Sequence, residues 1–122
     1  MTPQELARDF GAAPAKVASA LFDVFTATGD DTVKDWRETA AEHVSPHARR
    51  YPNAISSETR VGFHIEVEIG PENSATNQGF LGRVLELGGE HSPAYLDGLR
   101  AMATNAARLD RRAAAAIGHV LP

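Results

Sequence analysis

The clearest pattern in the chain runs from Val61 to Ile69. Val61, Phe63, Ile65, Val67 and Ile69 fall on one side of a two-residue period, and Gly62, His64, Glu66 and Glu68 fall on the other. Alternation of this kind predicts a strand with one buried face and one wet face. Gly70-Pro71 ends it, because proline brings no N–H to a ladder and glycine accepts turn dihedrals. Upstream, Ile55 to Arg60 either pairs with this strand or runs into it as one bent strand.

The flanking segments change period. Val17, Leu21, Val24, Phe25, Thr28, Thr32, Trp36 and Ala40 recur at spacings of three and four, which predicts a helix from Pro14 to about His43 with one core-facing stripe. Residues 1–13 form a helical or frayed lead-in, with Gly11 as an interruption. Gly29, next to Asp30-Asp31, either breaks the main helix or is absorbed at a cost of ~1 kcal/mol. The stripe stays in phase across the glycine, which favours one continuous helix. Ser45-Pro46 stops it, since the residue before proline avoids helical dihedrals. His47 to Asn53 then reads as a polar, arginine-containing connection.

Beyond the strand, Glu72 to Gln78 is a polar loop. Phe80, Leu81, Val84, Leu85 and Leu87 suit a short helix of about two turns, stopped by Gly88-Gly89. Ser92 as N-cap and Pro93 in the first position open the last helix. Its stripe is Leu96, Leu99, Met102, Ala106, Leu109, Ala113, Ile117 and Val120, with Arg108, Arg111 and Arg112 off it. The predicted class is α+β: a small antiparallel sheet packed by a long N-terminal helix and a long C-terminal helix, with a short helix before the last one. Residues 1–122 make one domain on length.

Composition narrows the chemistry. The hydrophobic share of 43% is that of an ordinary globular core, and no window approaches the roughly 20 apolar residues that span a bilayer. There is no cysteine, so thiolate catalysis, disulfides and cysteine metal sites are excluded. The opening MTPQELARDF has neither a basic nor an apolar secretion region, so synthesis and folding in the cytoplasm are expected. Net charge is −4, with seven basic and nine acidic residues in 1–61 and five and seven in 62–122. That balance argues against nucleic acid as the principal partner.

Candidate chemistry is sparse. His64, Glu66 and Glu68 share a strand face, but metal sites usually draw ligands from several elements, and a solvated face explains them better. His43 and His47 are four apart with Pro46 between them, which spoils a shared helical face. Glu86, Glu90 and His91 could act as an acid–base set only if they converged in a pocket. No nucleophile elbow, phosphate-binding glycine loop or zinc-protease helix motif occurs. The residues therefore predict no enzyme, no cofactor and no metal.

One ordered set of short motifs goes further. Ile65-Glu-Val-Glu-Ile-Gly-Pro71 is followed by Gln78-Gly-Phe-Leu-Gly-Arg-Val-Leu-Glu-Leu-Gly-Gly89 and then by Ser92-Pro-Ala-Tyr-Leu-Asp-Gly-Leu-Arg-Ala101. Together they resemble the head–tail joining family of long-tailed bacteriophages, the neck or tail-completion proteins of siphophages. The likeness covers about residues 14 to 120 and rests on Gly79, Leu81, Gly82, Leu85, Glu86, Gly88, Ser92, Pro93 and Leu99. It implies a virion subunit without catalytic residues, forming a homo-oligomeric ring at the neck, six-fold or else twelve-fold. Neighbouring connector, neck and tail-tube or tail-terminator proteins would be its partners. DNA would pass through the channel without sequence-specific binding, and no membrane would be involved. Arg108 and Arg111, meeting a neighbour's Glu66, Glu68 or Glu72, are the candidate subunit interface. The alternative is a small non-enzymatic adaptor that binds a partner protein without forming a ring.

Overall fold

A computed structural model describes residues 3–62, 64–72, 78–89 and 93–121, with the side chains of 5–13 left aside. Helix α1 spans Pro3–His43 and is followed by two 3-10 turns, Pro46–Ala48 and Pro52–Ala54. Strands β1 (Ile55–Val61) and β2 (Ile65–Pro71) form a two-stranded antiparallel sheet. A 3-10 turn, Gly79–Leu81, leads into the short helix α2 (Gly82–Leu87), and α3 (Asp97–Val120) completes the chain. The class is α+β, with the hairpin laid on one long helix and the second long helix packed along the other side.

Helix α1 is continuous through Gly29. A Cβ at that position would lie 2.8 Å from Val67 Cγ2 and 3.3 Å from Ser57 Oγ. The glycine thus lets both strands approach the helix backbone closely. The stripe faces inward as its spacing predicts: Thr28, Thr32, Trp36 and Ala40 are buried, and Val17, Leu21, Val24 and Phe25 are half-buried. The expected start at Pro14 is corrected, since the helix begins at Pro3 and holds Pro14 inside it. Pro3 suits a first helical position. The intervening Gln4, Glu5, Leu6, Ala7, Arg8, Ala12 and Ala13 are strong helix formers that offset the hydrogen bond Pro14 cannot donate.

The single strand Val61–Ile69 is also corrected. Val61 closes β1 and Ile65 opens β2, with Val61 paired to Ile65 and Ile55 to Pro71. Gly62 N–H donates to the His64 carbonyl at 3.0 Å. Of the two pairings the sequence left open, the hairpin is the one formed, and β2 runs on through Gly70 to Pro71. Ile65, Val67 and Ile69 lie half-buried toward α1, while His64, Glu66 and Glu68 are exposed. Val61 shares the inward parity yet is 60% exposed, because the hairpin tip reaches past the packed part of the helix. Phe63 lies outside the described residues.

The core is small: Trp36, Ala40, Tyr51, Ile55 and Ala101, with Val33, Val44, Ile69, Leu81 and Leu85 packed against it. Two of its members come from or follow the stretch read as a polar connection. The 3-10 turns there are closed by Ala48 N–H to Ser45 O and Ala54 N–H to Tyr51 O. Their tight path turns Ala48, Tyr51, Pro52 and Ala54 inward and leaves Arg49 and Arg50 outside. Arg37 of α1 then clamps the start of β1, donating from Nε and an η nitrogen to the Ile55 carbonyl at 2.9 and 2.6 Å.

The last helix starts later than Ser92-Pro93 predicts, at Asp97. Ser92 lies outside the described residues, and Pro93 is exposed ahead of the helix. The delay has a backbone cause. Tyr95 and Leu96 N–H groups donate to the Leu85 and Glu86 carbonyls at 3.1 and 3.2 Å, so this segment is tied to the end of α2. Leu96 then turns into the helix in the left-handed region at φ 56. The first half of the α3 stripe is shifted too: Gly98, Ala101 and Asn105 face inward, whereas Leu99 and Met102 are 57% and 45% exposed. Leu109, Ala113, Ile117 and Val120 are half-buried, as their spacing predicts. Small residues let the backbone come against the Trp36 indole, and a leucine there would not fit.

Candidate subunit interface

The residues of the glycine-containing motif meet at one place, the junction of α1, α2 and α3. Gly79 and Gly82 are buried, and Leu81 and Leu85 pack on the core. A Cβ on Gly82 would stand 2.6 Å from Pro71 Cγ, so the turn into α2 can sit on the end of β2 only with glycine there. Gly88 ends α2 at φ 82, a conformation glycine adopts without strain. Glu86 reaches across and accepts a hydrogen bond from the Gly98 N–H. That is the task of an N-cap side chain, performed here from another helix, with a carboxylate placed at the positive end of α3. Gln78 holds the same corner, accepting from Arg50 N–H at 2.9 Å and donating to the His47 carbonyl.

Beside this junction lies a polar knot. His43 stacks on Tyr95 with centroids 4.4 Å apart, and its Nε2 is 3.2 Å from Asp97 Oδ1. That is ion-pair distance, but the two atoms are not aligned for a hydrogen bond. Burial pushes the Asp97 carboxyl above its ordinary range, with His43 pulling it back and Glu86 pushing the same way as burial. Burial, with the Glu86 carboxylate behind it, pushes the Tyr51 hydroxyl up to about 12. The Trp36 indole N–H and the Tyr51 hydroxyl are both buried without an aligned partner.

Glu86 is engaged as a helix cap, and Glu90 and His91 lie outside the described residues. On the outer strand face Arg60 binds Glu68 at 2.7 Å and stands 3.6 Å from Glu66, while His64 is 3.4 Å from Glu66. Among the described residues no group of three or more histidine or acidic side chains is placed to hold a metal ion. No helix among them is long and apolar enough to cross a membrane.

The arginines singled out by sequence divide. Arg112 bonds Asp31 at 2.7 Å and Thr28 at 3.2 Å, both on α1. Arg108 donates to Asn105 Oδ1 at 3.2 Å and approaches Asp35 to 3.9 Å. Both therefore sit on the seam between α1 and α3 within one chain, rather than off the packed face as their spacing predicted. Arg111 is exposed, as are Glu66, Glu68 and Glu72. Glu66 and Glu68 already share Arg60, which leaves the outer strand face, with Glu58, acidic on balance.

What the surface does show is apolar. Phe80, Val84 and Leu87 are 63%, 43% and 65% exposed and follow one another at helical spacing along the outside of α2 and its entry turn. Toward the other end of α1, Pro14, Val17, Leu21, Phe25, Val61 and Ile65 line a groove of about 360 Å³ between the helix and the hairpin tip. Comparison with known protein families, with curated proteins and with solved structures finds no match.

Proposed function

We propose that this chain is a structural subunit of the neck of a long-tailed bacteriophage, closing with copies of itself into a ring between head and tail. The carrying observation is the pair of separate apolar features left on the surface, the exposed Phe80, Val84 and Leu87 on α2 and the groove between α1 and the hairpin tip. A ring subunit has two such faces to cover, one for each neighbour. The motif residues that carry the family resemblance act structurally: Gly79, Gly82 and Gly88 permit the close turns, and Glu86 caps α3. That suits a family whose members hold shape and do no chemistry. The chain's negative charge suits a ring through which DNA slides, because an acidic surface does not grip phosphate.

The test is a phage carrying an interrupted copy of this gene. Filled heads and complete tails that fail to join are the expected result, with joining restored when the purified chain is added back. Joined, infective particles lacking the chain would refute the neck assignment, as would a particle map that places it outside any ring.

A further inference from the structure

The surface carries two apolar features that differ in shape and cannot meet within one copy. One is a ridge, Phe80, Val84 and Leu87, on the outside of α2. It is about 11 Å long from first residue to last, at the rise of a helix. The other is the groove between the N-terminal half of α1 and the hairpin tip, lined by Pro14, Val17, Leu21, Phe25, Val61 and Ile65. Helix α2 sits by the C-terminal end of α1, where Leu85 and Tyr95 meet the core and His43. Phe25 and His43 are eighteen residues apart on one helix, about 27 Å at helical rise. Ridge and groove are therefore well separated on a single rigid element.

We infer that the ridge of one copy docks in the groove of the next, and that this head-to-tail contact supplies the apolar part of the interface between copies of this chain. The inference rests on the ring reading above and names the residues that close it. Two observations select a second copy as the occupant. Two unlike patches on one chain make a heterologous contact, the kind that generates rings when its rotation closes. Charge agrees as well: Arg83 stands exposed between Phe80 and Val84 with no ion pair among the described residues. The groove's lip at His64 carries Glu66, beside the acidic outer strand face. Ridge against ridge would instead oppose Arg83 to Arg83, which electrostatics disfavours.

The experiment uses the full chain and measures mass in solution against concentration, with Phe80→Asp altering the ridge and Val61→Asp altering the groove. Both positions are more than half exposed, so each variant keeps the helical spectrum and melting transition of the wild type. Each alone should associate at least about tenfold more weakly than wild type, as expected for loss of an anchoring apolar contact. Mixed in equal amounts they should form a dimer and nothing larger, because one intact ridge meets one intact groove and no second contact remains. Variants that assemble like the wild type overturn the inference, as does a mixture that stays monomeric. A wild-type chain still monomeric at millimolar concentration overturns it as well. None of these outcomes touches the neck assignment, which stands or falls on the interrupted phage gene.

Discussion

Gly98 offers the sharpest check on how α3 is seated. A Cβ built there would lie 2.4 Å from Trp36 Cη2 and Cζ2 and 2.8 Å from Cε2. Carbon atoms pack best at about 3.5–4.0 Å, so alanine requires the helices to part by about 1 Å or the indole to turn. Trp36 is 6% exposed and lies among Tyr51, Ile55 and Ala101, and a rigid ring so enclosed has nowhere to go. Against this, alanine improves helix propensity by up to ~1 kcal/mol. Overpacking a filled core costs about 1–3 kcal/mol, so the clash wins and Gly98→Ala should lose about 1–2 kcal/mol. For a domain of this size that lowers Tm by about 4–8 °C. Gly118 lies on the same helix with nothing within 4 Å of its would-be Cβ. There the same substitution meets no clash and should gain about 0.5 kcal/mol, reduced from the full propensity difference by fraying near the helix end. Thermal melts and urea titrations of the two variants should move in opposite directions. A Gly98→Ala protein as stable as Gly118→Ala would show that α3 does not rest on Trp36.

Two further predictions concern the core. Ile55 is fully buried whereas Ile65 is only half-buried, so Ile55→Ala should cost about 2–5 kcal/mol in urea unfolding and Ile65→Ala clearly less; equal losses would contradict the seating of the hairpin. Tyr51 titrates near 12 in the folded chain against an ordinary 10.0, so its contribution to stability is complete below pH 10 and disappears as pH rises toward 12. Tyr51→Phe removes the titrating hydroxyl, so it should lack that alkaline loss; an unchanged pH profile would refute the assignment.

The sequence announced the elements better than their boundaries, for reasons tied to particular residues. The α1 stripe held because Thr28, Thr32, Trp36 and Ala40 lie on one face whichever way the ends fray. The alternation from Val61 to Ile69 was real, yet it could not distinguish one strand from two. In the hairpin each paired set of residues sums to the same even number, as with Val61 and Ile65 or Thr59 and Val67. Odd positions therefore face α1 on both strands, and folding the chain back leaves the parity of the pattern untouched. Gly62 was the only local sign of the reversal. Tyr51 was hidden in a stretch whose arginines dominate its composition, since 3-10 turns have no period long enough to reveal which residue points inward.

The start of α3 was illegible for a different reason. Ser92-Pro93 is a sound local signal, but the helix takes its cap from Glu86, and a cap supplied by another helix leaves no mark near the residues it serves. The inward face was misread over the first half of α3, at Leu99 and Met102, because apolar periodicity rewards the largest side chains. Here the seam needs small ones at Gly98 and Ala101, then polar ones at Asn105, Arg108 and Arg112.

That seam bears on assembly. Over the middle of α1 the two long helices meet through Thr28, Asp31, Thr32, Asp35, Asn105 and Arg112 rather than through leucines. Half-exposed ion pairs of this kind contribute little to stability, typically up to about 1 kcal/mol each. They do fix register, because Arg112 fits only where Asp31 and Thr28 stand together. Several larger apolar side chains meanwhile face outward, at Phe80, Val84, Leu87, Leu99 and Met102. On the ring reading proposed above, the polar residues of the seam set alignment inside one chain, and the outward apolar residues are left for contact with the next.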